Sequence, residues 1–272
     1  MIGQLLNQVR RSRPLVHNMT NLVVNNIVAN AVLAIGASPV MAYAHEEVSD
    51  MAQISGALAL NMGTLNPSLV SAMLVAGKSA NEAGVPIVFD PVGVGATPYR
   101  TQTAADVASR LHLTVIRGNA GEIGLMIGSG GRVSGVDSAG ASEDLPYAMK
   151  RYAKEHHVVV AATGETDYVT DGNTVWRLRN GHPLLAAVTG SGCSLTGIIG
   201  AFIAGVRDKA DMEAIANAVI AAITCVNVAA EQAATFAAGP GTFQAAWLDA
   251  LYHLSEQDVD QKSAITAMDV KA

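Results

Sequence analysis

Apolar runs alternate with helical patterns along most of this chain. The segment at 38–43 (SPVMAY) reads as a short strand, followed by an acidic helix start at Glu46 and Glu47. A second strand is expected at 57–62. Asn66, Pro67 and Ser68 then open a helix to about residue 83, with proline at its first position, where no N–H is needed. The run at 85–90 (VPIVFD) is a third strand, continuous enough in apolar residues for a sheet covered on both faces. A helix over 99–111, a fourth strand at 114–117 and a fifth at 158–162 continue the alternation. Strand and helix taking turns in this way predict a mostly parallel α/β sheet flanked by helices. After Thr163 the pattern changes: 167–170 and 174–178 flank Asp171-Gly172-Asn173, the signature of an antiparallel hairpin. From Leu195 onward the chain reads as helices, at 195–206, from an N-cap at Asp211 to about 230, and at 244–252. Near the start, Thr20 or Asn21 could cap a helix beginning at about Leu22. The stretch 129–142 (SGGRVSGVDSAGAS) reads as a loop. No repeat or linker divides the chain, so residues 1–272 are expected to form one domain.

Composition narrows the function. Half of the 272 residues are apolar and 15% are charged, enough to bury a large core. Aromatics make up only 4%, so small residues must let helices and strands approach closely. Lys and Arg number 17 against 23 Asp and Glu, giving a net charge of −6. No basic patch offers itself to nucleic acid or to an anionic membrane, and neither is an expected partner. An anionic substrate must therefore be held by dipoles, a few cations and a metal. Cys193 and Cys225 both lie in apolar helical context, which suits a reducing, cytoplasmic setting rather than a disulfide framework. The N-terminal segment carries its basic residues after the apolar ones, the wrong order for a secretory signal. The apolar runs 184–206 and 214–238 are interrupted by polar residues and are expected to be buried helices, not membrane spans.

The chemistry concentrates at the ends of the predicted strands. Residues 188–197 (VTGSGCSLTG) form a Gly-rich turn just before the helix at 195–206. Bare N–H donors and the helix dipole converge there, which makes an anion site. Cys193 lies beside whatever that turn holds, either as a participant or as an inert buried thiol. Asp90 closes the third strand and is followed by Gly93 and Gly95; a metal-bound phosphate or a helix cap would each use it. Glu122 follows Asn119 by three residues, near a capping box, or else orients Mg²⁺ and its waters. Thr163, Gly164 and Glu165 offer a hydroxyl and bare backbone to a nucleotide phosphate. His17, Asn18, Asn21, Asn25 and Asn26 are dense in an apolar region; a buried network or a small polar pocket would account for them. No Gly-x-x-x-x-Gly-Lys-Ser/Thr sequence is present, which excludes a P-loop kinase, and no Cys/His spacing supports structural zinc.

Taken in order, PLVHNMTNLVVNNIVANAVLAIGASPVMAYAHEEV, DPVGVGATPYRT, VIRGNAGEI, ATGETDYVTDG and VTGSGCSLTG resemble hydroxyethylthiazole kinase, across roughly residues 14 to 205. The resemblance implies a ribokinase-like fold with a central, mostly parallel sheet wrapped by helices. It implies ATP- and Mg²⁺-dependent phosphorylation of the hydroxyl of 4-methyl-5-(2-hydroxyethyl)thiazole, in thiamine biosynthesis and salvage. Asn21, Met41 and Gly190 would contact the thiazole alcohol, Arg117 and Thr163 the ATP, and Asp90 and Glu122 the Mg²⁺, largely through water. Cys193 stands where wider relatives carry a catalytic aspartate. A homotrimer with active sites at subunit boundaries is also implied. Three rivals stand beside this reading: a related kinase with another acceptor, an ATP-dependent hydro-lyase, and a non-catalytic nucleotide sensor.

Overall fold

A computed structural model describes residues 2–129 and 145–270 of the chain. Nine strands are found among these residues: β1 (Leu15–Met19), β2 (Ser38–Val40), β3 (Ala57–Asn61), β4 (Ile87–Asp90), β5 (Val115–Asn119), β6 (Val159–Thr163), β7 (Asp167–Thr170), β8 (Val175–Leu178) and β9 (Ile265–Met268). They form one sheet in the order β2-β1-β3-β4-β5-β6-β7-β8-β9. The first six in that order run parallel, and the last three pair antiparallel. Helices α1 (Gly3–Ser12), α2 (Asn25–Ile35), α8 (Ser191–Ala204), α9 (Met212–Ala234), α10 (Pro240–His253) and α11 (Glu256–Lys262) share one core with one sheet face. The other face packs against α3 (Val48–Ile54), α4 (Pro67–Glu82), α5 (Pro98–Arg110), α6 (Ala120–Met126) and α7 (Leu145–His156).

The two faces differ in bulk, and period-two alternation along the strands explains how. Ala57, Ala59, Val88 and Ala161 point toward α8 and α9, while Leu58, Leu60, Phe89 and Val160 point the other way. Small side chains let the apolar α8 lie close on the sheet. A methyl group at Gly200 of α8 would sit 2.9 Å from Val16 Cγ1, closer than packed carbons tolerate. Helix α9 is long and apolar enough to cross a membrane, yet 78% of its most apolar window is buried inside the fold.

Several expectations shift by a few residues, and some elements are new. Strand β2 stops at Val40 rather than residue 43. β1 is absent from the sequence reading because His17 and Asn18 interrupt its apolar run. Both are buried, with His17 Nε2 2.8 Å from the Ala42 carbonyl and Asn18 Nδ2 donating to the Val16 carbonyl. Helix α2 begins at Asn25, not Leu22, and neither Thr20 nor Asn21 caps it; the Asn21 side chain bonds elsewhere. Helix α8 starts four residues earlier than expected, so Cys193 lies in its first turn. β9 interrupts the expected all-helical C-terminal part by pairing with β8. Helices α1, α7 and α11 were likewise not anticipated. The loop expected at 129–142 lies, from residue 130 on, outside the described residues.

Candidate active site

The carboxyl ends of β3, β4, β5 and β6 lie along one edge of the sheet, those of β5 and β6 running two residues further. Asn61 pairs in register with Asp90, and Asn119 with Thr163. Asp90 is fully buried there. Its Oδ2 accepts from Asn61 Nδ2 at 2.7 Å, Thr196 Oγ1 at 2.8 Å and Arg117 Nη1 at 3.0 Å. Its Oδ1 has no hydrogen-bond partner among the described residues. Burial pushes the Asp90 carboxyl above the ordinary carboxylate range, against the downward pull of Arg117, Thr196 and Asn61. The Arg117 guanidinium, also buried, reaches on through Nη2 to Thr163 Oγ1 at 2.9 Å. One cation thus bridges the ends of β4 and β6.

The Gly-rich turn sits directly over this pair. Gly190 holds φ at +94°, and a methyl group there would lie 2.6 Å from Ile27 Cγ2. That left-handed residue turns the chain into α8. The Ser191 and Ser194 N–H groups find the Val188 and Gly190 carbonyls. Those of Gly192 and Cys193 have no backbone acceptor among the described residues, as expected at a helix start. A methyl group at Gly192 would meet Arg117 Nη2 at 3.1 Å, so the guanidinium lies against the turn. Two free donors, the helix dipole and an arginine converge on one small volume, the chemistry of a phosphate cradle. Next to it, Cys193 Sγ accepts from Asn21 Nδ2 at 3.3 Å. Burial, with the Asp90 charge adding to it, pushes the Cys193 thiol up to about 11. At neutral pH only about one molecule in ten thousand would carry a thiolate.

Comparison with known proteins gives the chain its family. Residues 6–257 match the model of the hydroxyethylthiazole kinase family. A hydroxyethylthiazole kinase from Moorella thermoacetica is 52% identical over 252 residues, which span 93% of this chain and 92% of that protein. The chain belongs to the hydroxyethylthiazole kinase family. The solved structure of a hydroxyethylthiazole kinase protein from Pyrococcus horikoshii OT3 superposes with a TM-score of 0.88 at 39% identity, covering 98% of this chain and 99% of that one. A ribokinase-like superfamily protein from Enterococcus faecalis matches in fold, with a TM-score of 0.57 at 12% identity over 89% of this chain and 87% of its own. The fold class expected from the sequence is thereby established, and the protein is a kinase.

As a member of this kinase family, the chain brings most of its expected site residues together. Asp90, Arg117 and Thr163 are joined by hydrogen bonds, Asn21 touches Cys193, and Gly190 and Cys193 flank the turn. Glu122 is buried nearby and completes a capping box on α6 with Asn119. Its second oxygen accepts the Gly93 N–H at 2.8 Å, tying it to the loop that follows Asp90. Burial first, then the Asp90 charge, raises the Glu122 carboxyl. Two neighbouring buried carboxyls, one with an oxygen lacking any partner among the described residues, form a donor set that fits a hard divalent cation. No cluster of three His, Cys, Asp or Glu side chains that could hold a metal exists among the described residues. Met41 follows β2 and packs, partly buried, against the core on the α2, α8 and α9 side of the sheet; no hydrogen bond ties it to Asn21 or Cys193 among the described residues. Gly164 departs from the sequence reading: its N–H is not bare but donates to Asp167 Oδ1 at 2.9 Å. His17 belongs to the core, and burial lowers its pKa so that it stays neutral. Two residues escaped the sequence reading. Thr196 lies three positions after Cys193, on the same helix face, and Asn61 is a polar residue closing an apolar strand. That placement, shared with Asp90, was the available signal for Asn61.

Proposed function

We propose that this kinase transfers the γ-phosphoryl group of ATP to the hydroxyl of 4-methyl-5-(2-hydroxyethyl)thiazole, with Mg²⁺, in thiamine biosynthesis and salvage. The observation that carries the reading is the first turn of α8. Its free Gly192 and Cys193 N–H groups stand over Arg117 on one side and beside Asn21 on the other. Phosphoryl transfer asks a protein mainly for positioning and for stabilising charge on the phosphoryl oxygens. The two N–H groups and Arg117 supply that stabilisation, and Thr163 holds Arg117 on the ATP side. Asp90 and Glu122 would hold Mg²⁺, largely through water, and the ion supplies neutralisation of phosphate charge when bound. Asn21, Met41 and Gly190 shape the acceptor side. Cys193 acts there as a protonated thiol that packs against the acceptor, not as a base, because its pKa lies far above neutrality. The hydroxyl proton leaves late, after the new O–P bond has begun to form, and passes to water or to an oxygen of the transferred phosphoryl group.

The assembly we infer is a homotrimer with each site at a subunit boundary. Leu22 and Val23, 69% and 71% exposed, directly follow the site residue Asn21 and would be covered by a neighbouring subunit at the site. The protein is read as one cytoplasmic kinase domain, in keeping with two free cysteines and a sheet that spans residues 15–268. Coupled measurement of ADP release with a panel of small alcohols tests the activity. Release should require Mg²⁺ and the thiazole alcohol, and a hydroxymethylpyrimidine or a sugar should support little. Equal or better turnover with one of those acceptors would replace the substrate assignment.

A further inference from the structure

Asn61 stands between the two halves of the site with every polar atom committed. It is 1% exposed. Its Nδ2 donates to Asp90 Oδ2 at 2.7 Å, and its Oδ1 accepts from the Gly63 N–H and from Asn21 Nδ2, both at 3.0 Å. The orientation of this carboxamide is not arbitrary. A backbone N–H can only donate, so the atom facing Gly63 is the oxygen. The atom facing the Asp90 carboxylate then carries the protons.

That choice dictates the next side chain. With Asn61 Oδ1 as an acceptor, Asn21 must turn Nδ2 toward it, and the second Nδ2 proton goes to Cys193 Sγ at 3.3 Å. Both Asn21 protons are thereby used, and its Oδ1 is left for a donor on the ligand. Gly63 helps to fix this pose, since a methyl group there would lie 2.6 Å from Asn21 Nδ2. The result is a chain of hydrogen bonds from Asp90 through Asn61 and Asn21 to Cys193, largely shielded from water. Bonds in such a series reinforce one another, and the Asp90 charge polarises the amides along it. Asn61 is also the last residue of β3, paired in register with Asp90, so the sheet sets its position rather than a loop.

We propose that Asn61 is a positioning residue that couples the acceptor pocket to the cation- and phosphate-binding side of the site. The proposal rests on the kinase reading above. Whatever loads the Asp90 side shifts or stiffens the Asn61 amide, which sets where Asn21 presents its oxygen to the acceptor hydroxyl. By linkage, the acceptor must affect nucleotide affinity by the same factor.

Calorimetry with the thiazole alcohol, alone and with the magnesium complex of a non-hydrolysable β,γ-methylene ATP, reads this coupling directly. In wild type the nucleotide complex should tighten acceptor binding by about fivefold or more, the lower range of measured couplings. In Asn61→Leu, close in volume but without polar atoms, the factor should fall to within about twofold of unity. A general loosening of the fold would weaken both ligands without erasing their ratio. Asn21→Ser breaks the same chain at the pocket rim while keeping the Asn61 bonds to Asp90 and Gly63, so it serves where Asn61→Leu does not fold; it should lose the coupling too. Full coupling in either folded variant overturns the proposal. A wild type that binds and turns over both substrates with no coupling overturns it and leaves the kinase reading standing. A wild type that binds neither sinks both.

Discussion

Glu122 carries two roles that one substitution can separate. One oxygen accepts the Asn119 N–H as part of the cap on α6, and the other accepts the Gly93 N–H. Glutamine can still cap a helix, but it brings no charge to a cation. Glu122→Gln should lose about 1 kcal/mol of stability for the one bond its amide cannot accept. Its turnover should fall by about 10²–10³, the usual consequence of removing one electrostatic element. Urea unfolding beside steady-state kinetics reads the two effects, and near-normal turnover would return Glu122 to capping alone. Cys193 predicts the opposite pattern. A thiol held near 11 contributes no base at neutral pH, so Cys193→Ala should keep turnover within about tenfold of wild type, because positioning and charge supply most of the rate. Complete loss of turnover, with label trapped on the wild-type protein from γ-labelled ATP, would make Cys193 a nucleophile instead. Asp167 offers a test through pH. Burial raises its carboxyl from 3.8 to about 6, against the Gly164 N–H and the Asn227 amide that bond it. A raised native pKa means the folded state binds the proton more readily. Its stabilising contribution is therefore complete below the unfolded value and is lost as pH rises through about 6. Relative to Asp167→Asn, wild type should lose up to about 3 kcal/mol between pH 4 and 7. A difference in unfolding free energy that does not change over that interval would refute the burial argument.

At the level of elements, the start of α8 is decided by contacts from elsewhere in the chain. Gly190 holds φ at +94° with no room for a side chain, because a methyl group would lie 2.6 Å from Ile27 Cγ2 and 2.9 Å from Val24 Cγ1. Gly190→Ala should therefore cost about 1–3 kcal/mol in backbone strain. It should also lower turnover by moving the Gly192 and Cys193 donors; thermal melting and kinetics check both, and a stable, fully active variant would show that the turn has slack. This explains what could be read in advance. Gly190 itself was legible as the turn, but the four residues after it were not legible as helix. Ser191, Gly192 and Ser194 have low helical propensity, and only tertiary packing enrolls them. The strands β3 to β6 announced themselves as apolar runs, and the acidic, hydroxyl or capping residues at their ends marked one sheet edge. Strand β1 hid because His17 and Asn18 satisfy their polarity locally, inside the core. Strand β9 hid because its partner, Val175–Leu178, lies about ninety residues earlier, and no local pattern encodes that pairing. Asn61 could be located as a strand end. Its role could not, since it depends on which three groups the folded sheet brings around one carboxamide.

For the molecule as a whole, the site's surroundings are uneven in a way that bears on assembly. Toward the sheet, Asp90 and Arg117 are buried and ion-paired with each other. Toward α2, the chain passes in one step from Asn21, 5% exposed, to Leu22 and Val23, which stand out in solvent. Covering a large aliphatic side chain is worth about 1.5–3 kcal/mol, so leaving two of them bare at the lip of a functional pocket is costly unless another surface meets them. A second subunit placed there would finish the wall of the acceptor pocket as well as bury the pair. The proposed trimer would provide such a surface, and net charge −6 on each chain is small enough not to oppose it. Light scattering should then give three times the 28.0 kDa chain mass. Leu22→Glu combined with Val23→Glu places two charges where the partner would pack, without touching Asn21 or the sheet. The double variant should sediment as a smaller species, stay folded by circular dichroism, and bind the thiazole alcohol more weakly while nucleotide binding holds. A wild-type monomer with full activity would defeat the shared-site assembly. So would a double variant that loses the trimer and keeps wild-type acceptor affinity.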